Sequence, residues 1–232
     1  MARGTQLIQL VAKLRAETGR SDNVSAGRNE ESSLKSRLAA MQELLYQSYD
    51  WPFLKTHATK ALAAGQQHYD WPTEINPDRL TDNIKLRWQN SWYPIERGIG
   101  ANEYNSYDSY NDERADPALR FEVRAVGNTE QIEIWPLPAS NDQVLHFWGL
   151  RPLRPLTENS HVADLDDNLI VWTLAAEILT NQKSPNAKRI ADKAAALYQK
   201  LTGNSQAARG NLSLTDGARG SSRVVGTIIR VA

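Results

Sequence analysis

The chain has 232 residues, with 27 Lys and Arg balanced by 27 Asp and Glu. That is room for one large or two small domains, without the basic excess of a general electrostatic nucleic-acid binder. It has no cysteine, which excludes a disulfide framework, a thiol nucleophile and cysteine-ligated zinc, and fits assembly in a reducing cytoplasm.

The first zone, residues 1–50, reads as a helical hairpin. Its opening, MARGTQLIQLVAKLRAETG, is interrupted by Gln9, Lys13 and Arg15 and is no secretory core. No stretch of the chain reaches the ~18 uninterrupted apolar residues of a membrane span, so we expect a soluble protein. Leu7, Leu10, Val11 and Leu14 recur at helical spacing, and Gly19 stands where a C-cap belongs. The following SDNVSAG has loop composition, so the spacing predicts a second helix from about Asn29 or Ser32. Leu34, Leu38, Met41, Leu45 and Tyr49 form its stripe, which at this period faces a core.

The second zone, residues 51–160, changes period. Pro52 disfavours helical geometry at Trp51 and lacks an N–H, so the helix ends there. Strand-like runs follow at 53–63, 83–88, 119–126, 131–135 and 143–150, separated by Gly, Pro and Asn. Gly127-Asn128 reads as a hairpin turn, and the whole predicts a small antiparallel sandwich or barrel. Tyr-Asp-Trp-Pro occurs twice, at 49–52 and 69–72, with different flanks. The first copy, with Tyr49, Trp51, Pro52 and Phe53, is expected to form the helix-to-sheet junction, wedging bundle against sheet. The second is expected to close a first hairpin, with Pro72 ending its strand.

Within this zone the polar stretch GIGANEYNSYDSYNDERAD, residues 98–116, carries Tyr104, Tyr107 and Tyr110 at spacing three. A structureless loop of this length is uncommon in a compact domain and is often functional. Tyr, Ser and Asn are also residues of adaptable protein-contacting loops. It reads either as a subunit or tail contact loop or as a solvated loop.

The third zone, residues 161–202, is helical again. Asp164 is placed to cap a run in which Leu165, Leu169, Trp172, Ala176 and Leu179 share a face, with Asp166 and Asp167 in its first turn. Ser184 and Pro185 open a last helix, expected to run to Leu201 before Gly203. Residues 203–232 form an extended tail, Gly-, Ser- and Arg-rich and ending in VVGTIIRVA. Its apolar end is expected to add as a strand or plug to its own body or to a partner.

Catalytic signals are weak. His57, His68, His146 and His161 show no metal-binding spacing. Asp164-x-Asp166-x-Asn168 opens like a calcium loop, but Leu169 replaces the required Gly and Ala175 the bidentate Glu. Gly98-Ile99-Gly100 opens like a dinucleotide fingerprint, but Glu103 replaces the third Gly and no convincing helix is expected after it. No Walker loop or Gly-x-Ser-x-Gly elbow occurs. The expectation is a non-enzyme with no cofactor and no metal.

A helical pair ending in Tyr49-Asp50-Trp51-Pro52-Phe53-Leu54, then a strand, a turn at Gly65 and Tyr69 to Pro72, is distinctive. With a hairpin ending in Ile134-Trp135-Pro136-Leu137-Pro138 and two Ala-rich C-terminal helices, it resembles the head-to-tail adaptor proteins of short-tailed bacteriophages, also called head-completion or tail accessory factors. The resemblance covers about residues 5–202, and the 98–116 loop departs from it. It implies an α+β fold: a bundle of N- and C-terminal helices, an inserted antiparallel β domain and an extended C-terminal tail. It further implies a virion neck protein, assembled in the host cytoplasm into a typically dodecameric ring under the portal protein. Such a ring extends the DNA channel, helps retain the genome and offers a platform to the adjacent nozzle or tail-tube protein. Double-stranded DNA passes through its lumen without sequence-specific binding. In the family the C-terminal segment grips the portal. Here that assigns docking to Val224, Val225, Ile228 and Ile229, with Arg219 and Arg223 meeting acidic portal surface.

Other readings stay open: another neck or tail-tube component, a virion-associated cell-wall hydrolase, or a stand-alone DNA-binding protein, against which the charge balance argues. A hydrolase's carboxylate pair is defined in space and not in sequence.

Overall fold

A computed structural model describes residues 3–20, 24–127 and 129–207. The fold is α+β, with N- and C-terminal helices forming a bundle and two sheets inserted between them. Of the expected extended tail, residues 203–232, the first five continue the last helix instead, and residues 208–232 lie outside the described residues.

Helix α1 spans Leu7–Thr18 and α2 spans Val24–Ser48. Gly19 ends α1 at φ +67°, donating its N–H to Ala16 O, while Arg20 N–H reaches Arg15 O. The onset of α2 corrects the expectation of Asn29 or Ser32: the SDNVSAG composition did not hold off the helix. Local propensity is a weak prior, and even Gly27 costs a helix interior only about 1 kcal/mol.

Helix α3 is short, Ala101–Ser106. Helix α4 spans Asp167–Asn181 and α5 spans Ala187–Ala207. The cap of α4 is Asp166, not Asp164; its carboxylate accepts from the Asn168 and Leu169 N–H groups at 3.1 Å each. Ser184 and Pro185 lead into α5, with Ser184 O accepting from Ala187 N–H. The helix then runs through Gly203 rather than stopping before it.

Helix α4 is apolar on several faces and is the hub, touching α1, α2 and α5. Leu7, Leu10 and Leu14 of α1, Leu34 and Leu38 of α2, and Leu169, Ile170 and Leu174 of α4 are at most 1 % exposed in one continuous core.

Among the described residues eight strands form two four-stranded sheets. Their spans are β1 Lys55–Ala61, β2 His68–Asp70, β3 Lys85–Trp88, β4 Ser91–Pro94, β5 Glu96–Arg97, β6 Arg120–Val126, β7 Thr129–Trp135 and β8 Val144–Leu150. The first sheet has the order β1-β8-β3-β4 and the second β2-β7-β6-β5. Between these strands the pairings are antiparallel except the two-residue parallel pairing of β5 with β6.

A single apolar core joins the sheets face to face: Leu86, Leu145 and Phe147 from the first meet Tyr69, Ile132 and Ile134 from the second. The β6–β7 hairpin turns at Gly127, φ +64°, as the sequence indicates. A second tight hairpin, β3–β4, turns on Gln89 and Asn90, both with positive φ, the type I′ pattern that fits strand twist.

The expected first hairpin does not form. β1 pairs with β8 and β2 with β7, so the turn at Gly65, φ +74°, carries the chain from one sheet to the other. Tyr69 closes that crossover: its hydroxyl accepts from Ala63 N–H and sits 3.0 Å from both Ala63 O and Gln66 O.

Candidate functional site

Three surfaces carry the unusual residues of the chain: the bundle-to-sandwich junction and the outer face of each sheet.

At the junction Trp51 is 2 % exposed and lies in the helical core, in edge contact with Tyr49 and Tyr198 and 5.8 Å from Phe53. Its indole N–H donates to Leu45 O at 2.8 Å, satisfying a carbonyl of the last turn of α2. Pro52 opens a 3-10 turn, Pro52–Leu54, from which β1 starts. Phe53 packs at the edge of the helical core beneath the Arg3 guanidinium, 3.3 Å from its ring centre. The aromatic block thus belongs to the bundle side, and Leu54 and Leu150 bring the sandwich to it.

Arg79, from the sandwich side, completes the joint. It donates to Gln47 O, Tyr49 O and the Asp50 carboxylate at 2.8, 3.1 and 2.7 Å, a cation at the carbonyl end of α2. Asp164 holds the other side. Buried, it accepts from the Arg151 and Arg154 guanidiniums and from Arg154 N–H, while its own N–H donates to Gln42. Burial pushes its carboxyl up, but the hydrogen bonds from Arg151 and Arg154 outweigh that and hold it below the usual range. Sequence reading missed Arg79 and gave Asp164 only a capping role, because an ion pair across zones leaves no local signature.

The outer face of the second sheet is covered. The 98–116 stretch is not structureless: α3 and a 3-10 turn, Ser109–Asn111, fold it onto β6 and β7. A short helix does follow Gly100, and Glu103 caps it by accepting the Gly100 N–H at 2.8 Å. Tyr104 donates to Glu133, which is 3 % exposed and also takes Arg124 Nε at 2.7 Å and Gln67 Nε2 at 2.9 Å. Burial and the neighbouring Glu133 push the Tyr104 phenol up to about 12. Tyr107 stands edge-on to Trp135, whose indole N–H donates to the Tyr107 carbonyl at 3.0 Å. Tyr104 and Tyr107 therefore anchor the loop, and Tyr110, 82 % exposed, is the most displayed of the three.

The outer face of the first sheet is open. Strand alternation brings His57 of β1, His146 and Trp148 of β8 and Trp92 of β4 together. His57 Nε2 lies 3.0 Å from His146 Nδ1, Trp92 is 4.5 Å from the His146 ring centre and 52 % exposed, and Lys85 stands 5.9 Å over Trp148. Burial, then His57 and Arg87, lower the His146 pKa. The sequence shows the histidines scattered without metal-binding spacing, and this cluster depends on strand order, which it did not give.

For chemistry the arrangement offers little. Among the described residues no group of three or more His, Asp or Glu side chains is placed to hold a metal ion. An open groove of about 770 Å³ runs between α2, residues 76–79 and residues 153–157. Lys35, Arg79 and Arg154 at its border are held in ion pairs with Glu31, Asp50 and Asp164. The tail residues Arg219, Arg223, Val224, Val225, Ile228 and Ile229 lie outside the described residues. No described helix is long and apolar enough to cross a membrane.

A family model described as SU10 adaptor protein matches residues 5–225, nearly the whole chain. The chain belongs to the SU10 adaptor protein family. This is a bacteriophage adaptor family, so the protein has a structural role in the virion, at the neck, where an adaptor works between portal and tail components. Among curated proteins no sequence matches it significantly.

Proposed function

We propose that this SU10 adaptor docks beneath the portal as a homo-oligomeric ring, typically of twelve copies. It extends the DNA channel and gives the next tail component its platform. Family membership over residues 5–225 is the observation that carries the reading. The form of the bundle supports it. Helix α5 continues to Ala207, so the 25 residues 208–232 follow directly on a bundle helix. We assign portal docking to Val224, Val225, Ile228 and Ile229, with Arg219 and Arg223 on acidic portal surface. A formally neutral chain suits a conduit, because strong phosphate contacts retain DNA rather than let it slide.

On this reading the protein turns over no substrate, and a peptidoglycan zymogram of the purified chain shows no lysis. We also take residues 51–160 as an inserted unit between the helical segments 1–50 and 161–202. Removing residues 208–232, beyond the last described turn of α5, tests the tail assignment. Binding to portal rings is expected to fall at least tenfold, and undiminished binding overturns the assignment.

A further inference from the structure

The outer face of the first sheet and the loop that covers the second are opposite in charge as well as in position. On the first sheet the outward residues of the four strands are Lys, Arg, His, Trp and small or aliphatic side chains, with no carboxylate. Lys55, Lys85 and Arg87 are exposed there around the Trp92, Trp148 and His146 rings. On the second sheet the covering stretch 98–116 carries Glu103, Asp108, Asp112, Glu113 and Asp116 against Arg114 alone. Its tip displays Tyr110 beside exposed Asp112 and Glu113.

This loop is fastened rather than loose, with Asp108 accepting from Tyr110 N–H and donating its own N–H to Glu113. Both surfaces therefore exist before a partner arrives, so little ordering entropy opposes their use. Exposed Trp, Tyr and Arg are the residue types that dominate protein–protein interfaces.

We infer that the basic tryptophan–histidine face of the first sheet receives the acidic Tyr110 loop of a second copy of this chain. The inference rests on the ring reading above and names the surfaces that would close the ring. The faces lie on opposite sides of one sandwich, so the contact is head-to-tail. Repeated with a closing rotation, such a contact makes a ring and not a two-fold dimer. Opposite charge sets the register and disfavours pairing of like faces.

Two experiments on the full-length protein, each with and without portal rings, test this. The first is a charge swap read by native mass spectrometry. Lys85→Glu/Arg87→Glu alters one face. Asn111→Lys/Glu113→Lys alters the other and leaves Asp112, with φ +60°, untouched. Each pair is expected to weaken self-association about tenfold, and the combination to restore it to within about threefold. Thermal unfolding checks that each variant folds.

The second uses the absence of native cysteine. Thr59→Cys with Tyr110→Cys is treated with a short bis-maleimide crosslinker. Opposite faces cannot be bridged within one copy, so the double variant gives a ladder of trimers and higher species, while each single variant stops at dimers. Rings that survive both swaps, or a double variant that stops at dimers, overturn this interface and leave the ring reading standing. A wild-type chain with neither ring nor ladder, with or without portal, overturns both.

Discussion

Trp51 and Trp71 do the same physical job in two cores. Trp51 donates to Leu45 O in the bundle; Trp71 donates to Ile75 O at 2.7 Å and stands edge-on to Phe147 in the sandwich. Each Tyr-Asp-Trp-Pro copy is thus an aromatic anchor whose indole also satisfies a nearby carbonyl. Trp51→Ala is expected to cost about 3–5 kcal/mol in urea unfolding, and Trp51→Phe, which removes the indole donor but leaves the Ser48 hydroxyl on Leu45 O, about 1 kcal/mol. Asp164 sets an acid limit on stability. Its folded pKa is depressed, so its contribution is complete above its unfolded value, about 3.9, and is lost as pH falls through the lower folded value. Asp164→Asn is expected to cost about 2–3 kcal/mol at pH 7, because two arginines lose their partner. Unfolding midpoints measured between pH 3 and pH 7 should fall less steeply in acid for the variant than for the wild type.

At the scale of elements, the loop over the second sheet depends on Glu133. Glu133→Gln removes the carboxylate that Tyr104 and Arg124 share, and hydrogen exchange at residues 101–113 is expected to speed up while β6 and β7 stay protected. The segment 75–81 depends on Gly149. A Cβ there would come 2.7 Å from Ile75 Cγ2 and 3.0 Å from Arg79 O, so Gly149→Ala pushes away the segment that carries Arg79 to α2. We expect a loss of about 1–3 kcal/mol in thermal unfolding.

The elements themselves were largely legible. Leu7 to Leu14, Leu34 to Leu45 and Leu169 to Leu179 declared their helices by spacing, and Pro52 and Gly127 declared their breaks. The pairing was not. β1 and β2 are neighbours in sequence and belong to different sheets, because strand alternation fixes which face is buried but not which strand lies alongside. The Tyr-rich stretch was misread as structureless because its anchor, Glu133, lies 29 residues beyond Tyr104. The basic face of the first sheet was invisible for the same reason: β1, β3, β4 and β8 contribute to it from four separate runs.

For the whole molecule, the first and last helices share one core, with α4 between α1 and α5, and the sandwich hangs from that bundle through Arg79, Asp164, Leu54 and Leu150. Such a body has a helical end at Ala207, after which residues 208–232 follow, and a sandwich with a basic face on one side and an acidic loop on the other. The adaptor reading uses both, the first to grip a portal and the second to meet neighbouring copies. Native mass spectrometry of the full-length chain, alone and mixed with its phage's portal rings, tests this most directly. The account predicts a monomer, or short head-to-tail oligomers, that becomes a complete ring of copies on each portal. A chain that leaves the mass of the portal ring unchanged would contradict it.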